Sequence, residues 1–383
     1  MSRRGIRQLP IVLLAAIGAV LASATPSLAS YLPTPRSSYS VTNGTVYAMV
    51  VTSDRVYIGG SFTAVTNTAT SQRTTRNRLA AFDRATGQLL DWAPAADNTV
   101  RALAVSGVTG TVYVGGEFAT LGGVPRAFAG AVTSDGAVTA WNPSPGKVVR
   151  DAVVVGDQVY LAGRFGSVGG RTRQGLARVS ADTGALDTSF TANTTGGKAF
   201  AIALAANGTD LLVGGNFTAI NDQPHAFLAT VAMSDGTPSS WSPAPACSTC
   251  EVFHIVTEGT AIYTAMGGPG GRATKYFAGG ANYVWTIRGD GDVQTVAVRD
   301  GIVYVGGHYG PSFGGSVRHQ LAAVSADSGQ LLPWNPNLGG AGGNDHPGVW
   351  ALSADSDFLR VGGGFDTVAG VAPSRYAEFP TGP

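Results

Sequence analysis

Charge, cysteine and long apolar runs are all scarce in this chain of 383 residues. Only 13% of it is charged, with 25 lysines and arginines against 24 acids. Three of those arginines, Arg3, Arg4 and Arg7, lie in an N-terminal segment with the marks of a targeting signal. Without them 22 basic residues face 24 acidic ones, a net charge near −2. So weak a balance excludes a general attraction to nucleic acid or to an anionic membrane. The longest apolar stretch, Ile11 to Ala22, is twelve residues, short of the roughly 20 that a membrane-spanning helix needs. No H-E-x-x-H, phosphate loop or dinucleotide fingerprint occurs. The one G-x-S-x-G, Gly310-Pro311-Ser312-Phe313-Gly314, lacks the strand–turn–helix pattern that a nucleophile elbow needs, so no catalytic class is marked. The only two cysteines, Cys247 and Cys250, stand in C-S-T-C. In an oxidising compartment so close a pair is expected to staple a loop as a disulfide. A redox role would need a helix N-terminus in a βαβ unit, and no such pattern is present.

Residues 1–29 read as a signal peptide: a basic head, the apolar stretch, and small residues at Ala22-Ser23-Ala24 and Ser27-Leu28-Ala29 that suit cleavage. The twin arginine suggests the alternative export route, but Arg7 stands where that signal wants an apolar residue. Ordinary secretion to the extracellular space is expected, with neither a lipid-anchor cysteine nor a C-terminal apolar tail. Residues 30–383 are then one domain.

What the chain has in abundance is glycine, 54 residues of it, arranged in a repeat of about fifty residues. Val100 to Pro143 shows the unit: V-R-A-L-A-V, T-V-Y-V-G-G-E-F, A-F-A-G-A-V and A-V-T-A-W-N-P, four short apolar runs bounded by turn residues. Four antiparallel strands read this way, and the period is that of a blade. The second-strand glycine pair, or its variant, recurs at Gly59-Gly60, Gly115-Gly116, Ala162-Gly163, Gly214-Gly215, Gly267-Gly268, Gly306-Gly307 and Gly362-Gly363. A closing W-x-P follows at Trp92, Trp141, Trp241 and Trp334, with Phe190 and Trp285 in the same place elsewhere. The last copy stops after its third strand at Tyr376 to Phe379. Tyr31-Leu32-Pro33 resembles the missing W-x-P, at the same 17-residue distance from the next inner strand as Trp334. The expected fold is therefore all-β: a seven-bladed β-propeller of four-stranded antiparallel blades, the last closed by the N-terminal strand, which removes free sheet edges.

Repeats of the form V-Y-V-G-G-x-F…L-A-A-x-D-x-x-T-G-x-L…W-x-P resemble the β-propeller repeats of secreted actinobacterial proteins of unknown function, and are similar to delta-sixty repeats. The resemblance spans nearly the whole mature chain and implies the fold, with no catalytic motif to carry over. Ala81-Phe82-Asp83-Arg84-Ala85-Thr86-Gly87…Trp92 is also similar to the tryptophan-docking repeat of quinoprotein dehydrogenases. Its spacing is one residue longer, the copies number seven where those enzymes use eight, and adjacent cysteines are absent. D-x-x-T-G is read instead as hairpin-turn chemistry.

Recurrence separates scaffold from candidate site. A basic or imidazole group before the third strand (Arg76, Arg173, His225, Arg318) recurs and is read as a structural contact. Turns between first and second strands, and between third and fourth, are short. The other two connections are long and fall at one end of every sheet, which marks that face as a binding surface. Aligning V-x-A across the inner strands places Tyr47, Arg101, Arg150, Phe200, Phe253, Gln294 and Trp350 at one position. They either ring a channel mouth, a surface suited to sugar rings or an acidic group, or pack between sheets. The next position is alanine in four copies, but Asp151, His254 and Thr295 in three. Asp290 and Asp292 in G-D-G-D resemble part of a calcium loop without the further acids of an EF-hand, so a polar turn is expected and bound calcium is the alternative. His308, His319 and His346, with Asp345, have no compact zinc-ligand spacing.

Two functions of different class follow. One is an extracellular binding protein, cofactor-free and monomeric, whose partner is a glycan, cell-wall component or protein. The other is a secreted hydrolase, lyase or quinone-dependent oxidoreductase using Asp151, His254 or the sixth-repeat histidines. The first is the expectation, because the singular residues do not assemble into a nucleophile, base and orienter.

Overall fold

Short runs rich in valine, tyrosine and alanine, each ended by glycine or a D-x-x-T-G-type turn, leave the backbone no partner but the adjacent run, and antiparallel ladders form. A computed structural model describes residues 31–36, 38–205, 207–340, 347–372 and 374–382. The proposed signal peptide, Asp345 and His346 lie outside the described residues. Among these residues the regular structure is all strand, and no helix is long and apolar enough to cross a membrane.

Seven sheets repeat one order, inner strand to second to third. Their inner strands are Val46–Val51, Val100–Val105, Val149–Val155, Ala199–Leu204, Glu251–Glu258, Val293–Arg299 and Val349–Ala354. Each inner strand packs against those of the sheets before and after it, and the first packs against the last. The core lies between neighbouring sheets. At its centre the first glycine of the recurring pair accepts a side chain from the next sheet: a Cβ on Gly115 would stand 2.6 Å from Val149 Cγ1. Gly362 of the last sheet meets Val46 of the first in the same way. The third sheet has Ala162 in place of glycine, and the next sheet there presents Ala199 in place of valine; the two share one apolar cluster.

Pairing corrects the expected position of the fifth glycine pair. Val252 opposes Met266 and His254 opposes Ala265, as Val46 opposes Gly60 and Ala48 opposes Gly59. Ala265 and Met266 thus hold the glycine places, and Gly267-Gly268 stands two residues further on.

The fourth run forms a full strand only in the fifth sheet, where Trp285–Arg288 pairs with Arg272–Phe277. In five other sheets it touches the third strand at a single bridge, such as Phe82 to Leu89. The next N–H is taken by a side chain two residues back in the same run: Trp141 by Thr139 Oγ1 (3.2 Å), Ser189 by Asp187 Oδ1 (2.9 Å) and Trp241 by Ser239 Oγ (3.1 Å). The proline that follows most of the tryptophans has no N–H to resume the ladder. Four closing tryptophans, Trp92, Trp141, Trp241 and Trp285, still lock sheets together, with Trp141 Nε1–H donating to Ser180 O (2.8 Å) and Trp92 Nε1–H to Thr133 O (3.1 Å) in the next sheet. Trp334 Nε1, in contrast, is buried with no partner among the described residues.

In the last sheet the N-terminal segment lies on the third strand. Leu32 N–H donates to Pro380 O (2.8 Å) and Arg36 N–H to Glu378 O (2.7 Å). The position differs from the expected one. Leu90 N–H bonds Ala81 O in the first sheet, so Arg36 takes the place of Leu90 and the tryptophan place falls on Ser38, not Tyr31. Tyr31 is buried further back, against Tyr304. Where other sheets stack a second-strand tyrosine on the closing aromatic, as Tyr57 on Trp92, this one has Arg360. Its fully buried guanidinium bonds Glu378 Oε1 (3.1 Å) and Asp355 Oδ2 (2.5 Å), while Arg36 holds Glu378 Oε2 from the other side.

The long connections are less irregular than their sequence suggests. Several fold into two-residue hairpins with both central residues at positive φ, such as Gly122-Gly123 (φ 55° and 77°) and Asn221-Asp222 (φ 47° and 62°). The connection between sheets pairs with the same hairpin, for example Tyr39–Thr42 with Ala64–Asn67. Both long classes therefore sit at one end of each sheet, as expected.

Candidate functional site

One irregularity repeats in every inner strand. The ladder slips between Val46 and Ala48, Val100 and Ala102, Val149 and Asp151, Ala199 and Ala201, Val252 and His254, Val293 and Thr295, and Val349 and Ala351. The residue skipped each time is one of the aligned set: Tyr47, Arg101, Arg150, Phe200, Phe253, Gln294 and Trp350. A bulge leaves its extra residue unpaired and re-aims the side chain. The second glycine of the pair makes room for it, because a Cβ on Gly60 would stand 2.0 Å from Thr45 O. All seven skipped residues, with Asp151 and His254, line a single cavity of about 120 Å³ to which every inner strand contributes.

Around the wall two neighbouring arginines, Arg101 and Arg150, are followed by Phe200 and Phe253, then Gln294, then Trp350 and Tyr47. Tyr47 and Trp350 meet edge to face at 5.2 Å, and Phe200 lies 6.0 Å from Phe253. Arg101 sits 4.0 Å over the Tyr47 ring and is neutralised by Glu117, Nε to Oε1 2.9 Å. Arg150 and Arg164 both approach the Phe200 ring, at 5.8 and 5.7 Å. Burial, then the like charges of Arg101 and Arg164, lowers the pKa of Arg150 to about 10. Gln294 Nε2 lies 3.4 Å from His308 Nδ1.

Asp151 and His254 serve the inner edge of the sheets, where strands lack a further neighbour. Asp151 accepts from Ala152 N–H (2.8 Å) and, across to the next sheet, from Ile202 N–H (2.9 Å). His254 Nδ1 faces Val296 N–H, also in the next sheet, at 3.4 Å. Burial raises the Asp151 carboxyl to about 7 despite both bonds, and lowers the His254 imidazole to about 4. Neither is placed beside the other as an acid–base pair: their hydrogen bonds run to backbone.

The residue between glycine and phenylalanine in G-G-x-F is not read as a site position from sequence, and of its occupants only His308 is singled out there as a candidate. Glu117, Arg164, Asn216 and His308 occupy it, and they contact or flank the bulged residues or their sheets, Asn216 through Glu251 Oε1 at 2.9 Å. The signal was available: it varies inside an otherwise constant motif.

Other sequence candidates lie elsewhere. Both Asp290 oxygens accept backbone N–H groups, from Gly310 (2.8 Å) and Ser312 (3.1 Å). Asp292 accepts from Gly268 N–H and stands 3.7 Å from His308. Among the described residues no three His, Cys, Asp or Glu side chains converge as metal ligands. The recurring basic groups bind backbone carbonyls of the fourth run, Arg76 to Leu90 O (2.8 Å) and Arg318 to Leu332 O (2.9 Å), as a structural contact should. Arg126 does the same with Thr139 O (2.8 Å). Cys247 and Cys250 form a disulfide.

No family model and no curated protein matches the sequence. Solved structures do. The computationally designed Ika8 protein aligns over 89% of this chain and 97% of its own, with a TM-score of 0.55 at 13% identity. The WD40 β-propeller domain of Doa1 aligns over 89% and 96%, with a TM-score of 0.53 at 10% identity. The fold is a β-propeller. At such identities the likeness concerns architecture alone, and a propeller hosts many chemistries. Any assignment for this propeller has to come from its own cavity.

Proposed function

We propose that the protein is a secreted, seven-bladed propeller, closed by its N-terminal segment, that binds the end of a glycan or cell-wall polymer in its axial cavity. The seven similar sheets, the packing of the first inner strand on the last and the seating of residues 31–36 on the last strand support the closed ring. The basic, apolar N-terminal segment and the disulfide support export. The observation that carries the binding reading is the sevenfold bulge, which turns one large side chain per sheet into a shared cavity. A concave wall that sets four aromatic rings among charged and amide groups offers a ligand both stacking and hydrogen-bonding partners. Binding is favoured over turnover because Asp151 and His254 spend their acceptors on backbone N–H groups.

A glycan array followed by calorimetric titration tests this. Saturable binding should weaken about tenfold or more in Trp350→Ala or Tyr47→Ala, since aromatic anchors dominate such sites. Binding undiminished in both variants would remove the cavity from the account, and turnover of a bound glycan that stops in His254→Gln would replace binding with catalysis.

A further inference from the structure

Building on the cavity-binding reading, we propose that Arg150 and Arg164 hold the carboxylate of a terminal uronate residue against Phe200. Arg101 and Arg150 line the cavity, while Arg164 is exposed, lies outside the lining and reaches the same Phe200 ring; the three differ in one respect. Arg101 is paired with Glu117, whereas neither Arg150 nor Arg164 has a hydrogen bond or ion pair from its guanidinium to a described residue. Both approach the ring of Phe200, and Glu117 and Glu251 act on Arg150 only from beyond ion-pair distance. Two cations beside one ring repel one another, and Arg150 is largely withdrawn from water. An oxyanion between them supplies a directly bonded counter-charge and accepts charge-assisted, fork-shaped bonds of the kind guanidinium makes with carboxylate.

Size and lining narrow the ligand. About 120 Å³ is less than the ~150 Å³ that admits a benzene ring, so the cavity takes an acidic group and part of the ring bearing it. The rest of the ligand lies across the mouth. Phe253 and Trp350 line the cavity there, and aromatic π-density of this kind suits the C–H face of a sugar. A peptide C-terminus is the less fitting occupant, because such carboxylates are caught by backbone N–H groups. The inner-edge N–H groups of Ile202 and Val296 are already taken by Asp151 and His254.

The test titrates the protein with trigalacturonate, its fully methyl-esterified form, and a tripeptide with a free C-terminus. Trigalacturonate should bind, with the ester and the Arg150→Ala variant each roughly 10- to 100-fold weaker, as expected for loss of a charged hydrogen bond. Arg150→Lys should recover part of the loss, and binding should fall with added salt. A circular-dichroism melt of each variant separates lost binding from lost folding; if Arg150→Ala unfolds, the exposed Arg164→Ala carries the same test. Equal affinity for acid and ester overturns the carboxylate assignment while leaving the cavity-binding reading intact. Tighter binding of the tripeptide overturns the uronate in favour of a peptide. Binding of no saccharide, acidic or neutral, overturns both.

Discussion

Asp151 and His254 carry opposite titrations into one wall of the cavity. With its folded pKa raised from 3.8 to about 7, Asp151 favours the fold fully below pH 3.8, and that contribution is lost as pH rises through 7. His254, lowered from 6.5 to about 4, favours the fold above pH 6.5 and loses its contribution as pH falls through 4. Each unit of difference is about 1.4 kcal/mol between protonation states, so either effect is visible in urea denaturation. Relative to wild type, Asp151→Asn should gain stability steadily from pH 4 to pH 7. His254→Gln should gain in the opposite direction, from pH 6.5 down to pH 4. If Asp151→Asn tracks the wild type at constant offset across the range, the carboxyl is not desolvated as described. These two residues broke the small-residue pattern of their position and so were visible in the sequence. Their bonds to the neighbouring sheet's backbone were not, since no local pattern records which strand lies alongside.

At the scale of the sheet, the first glycine of each pair is a socket for the next sheet's valine. Gly115→Ala places a methyl where only 2.6 Å separates it from Val149 Cγ1. Overpacking of this kind costs about 1–3 kcal/mol, offset by roughly 0.4–1 kcal/mol of reduced freedom in the unfolded chain. Adding Val149→Ala should recover part of the loss, because Ala162 against Ala199 is the same exchange made naturally. A double-mutant cycle by chemical denaturation should show a favourable coupling, and strict additivity would mean the two sites do not touch. The fifth sheet is the departure, with Ala265 sharing a cluster with Val293 and Met266 as its second-glycine counterpart. This irregularity also misled the sequence reading, since Gly267-Gly268 mimics the motif two residues late. The seven-copy pattern and the aligned ring were legible because V-x-A and G-G-x-F recur with little change. The bulge was not: strand alternation alone leaves both faces of an inner strand buried, and a one-residue slip has no compositional mark. The two-residue hairpins were legible in principle, as G-G and N-D at turn positions, but were hidden inside connections read as irregular.

For the whole molecule, the seam between the last sheet and the first is built differently from the others. In the first, second and fifth sheets an aromatic pair and an indole N–H tie each sheet to the next. Here Arg360, wholly buried, shares Glu378 with Arg36 of the N-terminal segment, and Arg84 of the first sheet reaches Asp355 and Asp357 (3.3 and 2.9 Å). A Y-L-P that mimics W-x-P pointed to the right segment at the wrong position, because the seating is set by these charges, which no repeat position foretells. Removing one partner from a buried ion pair leaves the other uncompensated and costs about 3–5 kcal/mol. Glu378→Gln should therefore destabilise strongly, and with little relief from added salt, since screening acts weakly on buried pairs. Arg36 is partly exposed, with 26% of its side-chain surface accessible, so Arg36→Ala should cost less, on the order of 1–2 kcal/mol after allowing for solvent screening. The decisive quantity is their coupling. If residues 31–36 complete the last sheet in solution, the double variant should lose less than the sum of the singles by the share of Arg36 that runs through Glu378, the rest being its bond to Ala85 O and its place over Phe358. Zero coupling, together with amide exchange at Arg36 as fast as in an unstructured peptide, would mean that the N-terminal segment does not sit on the last strand and that something else protects that edge.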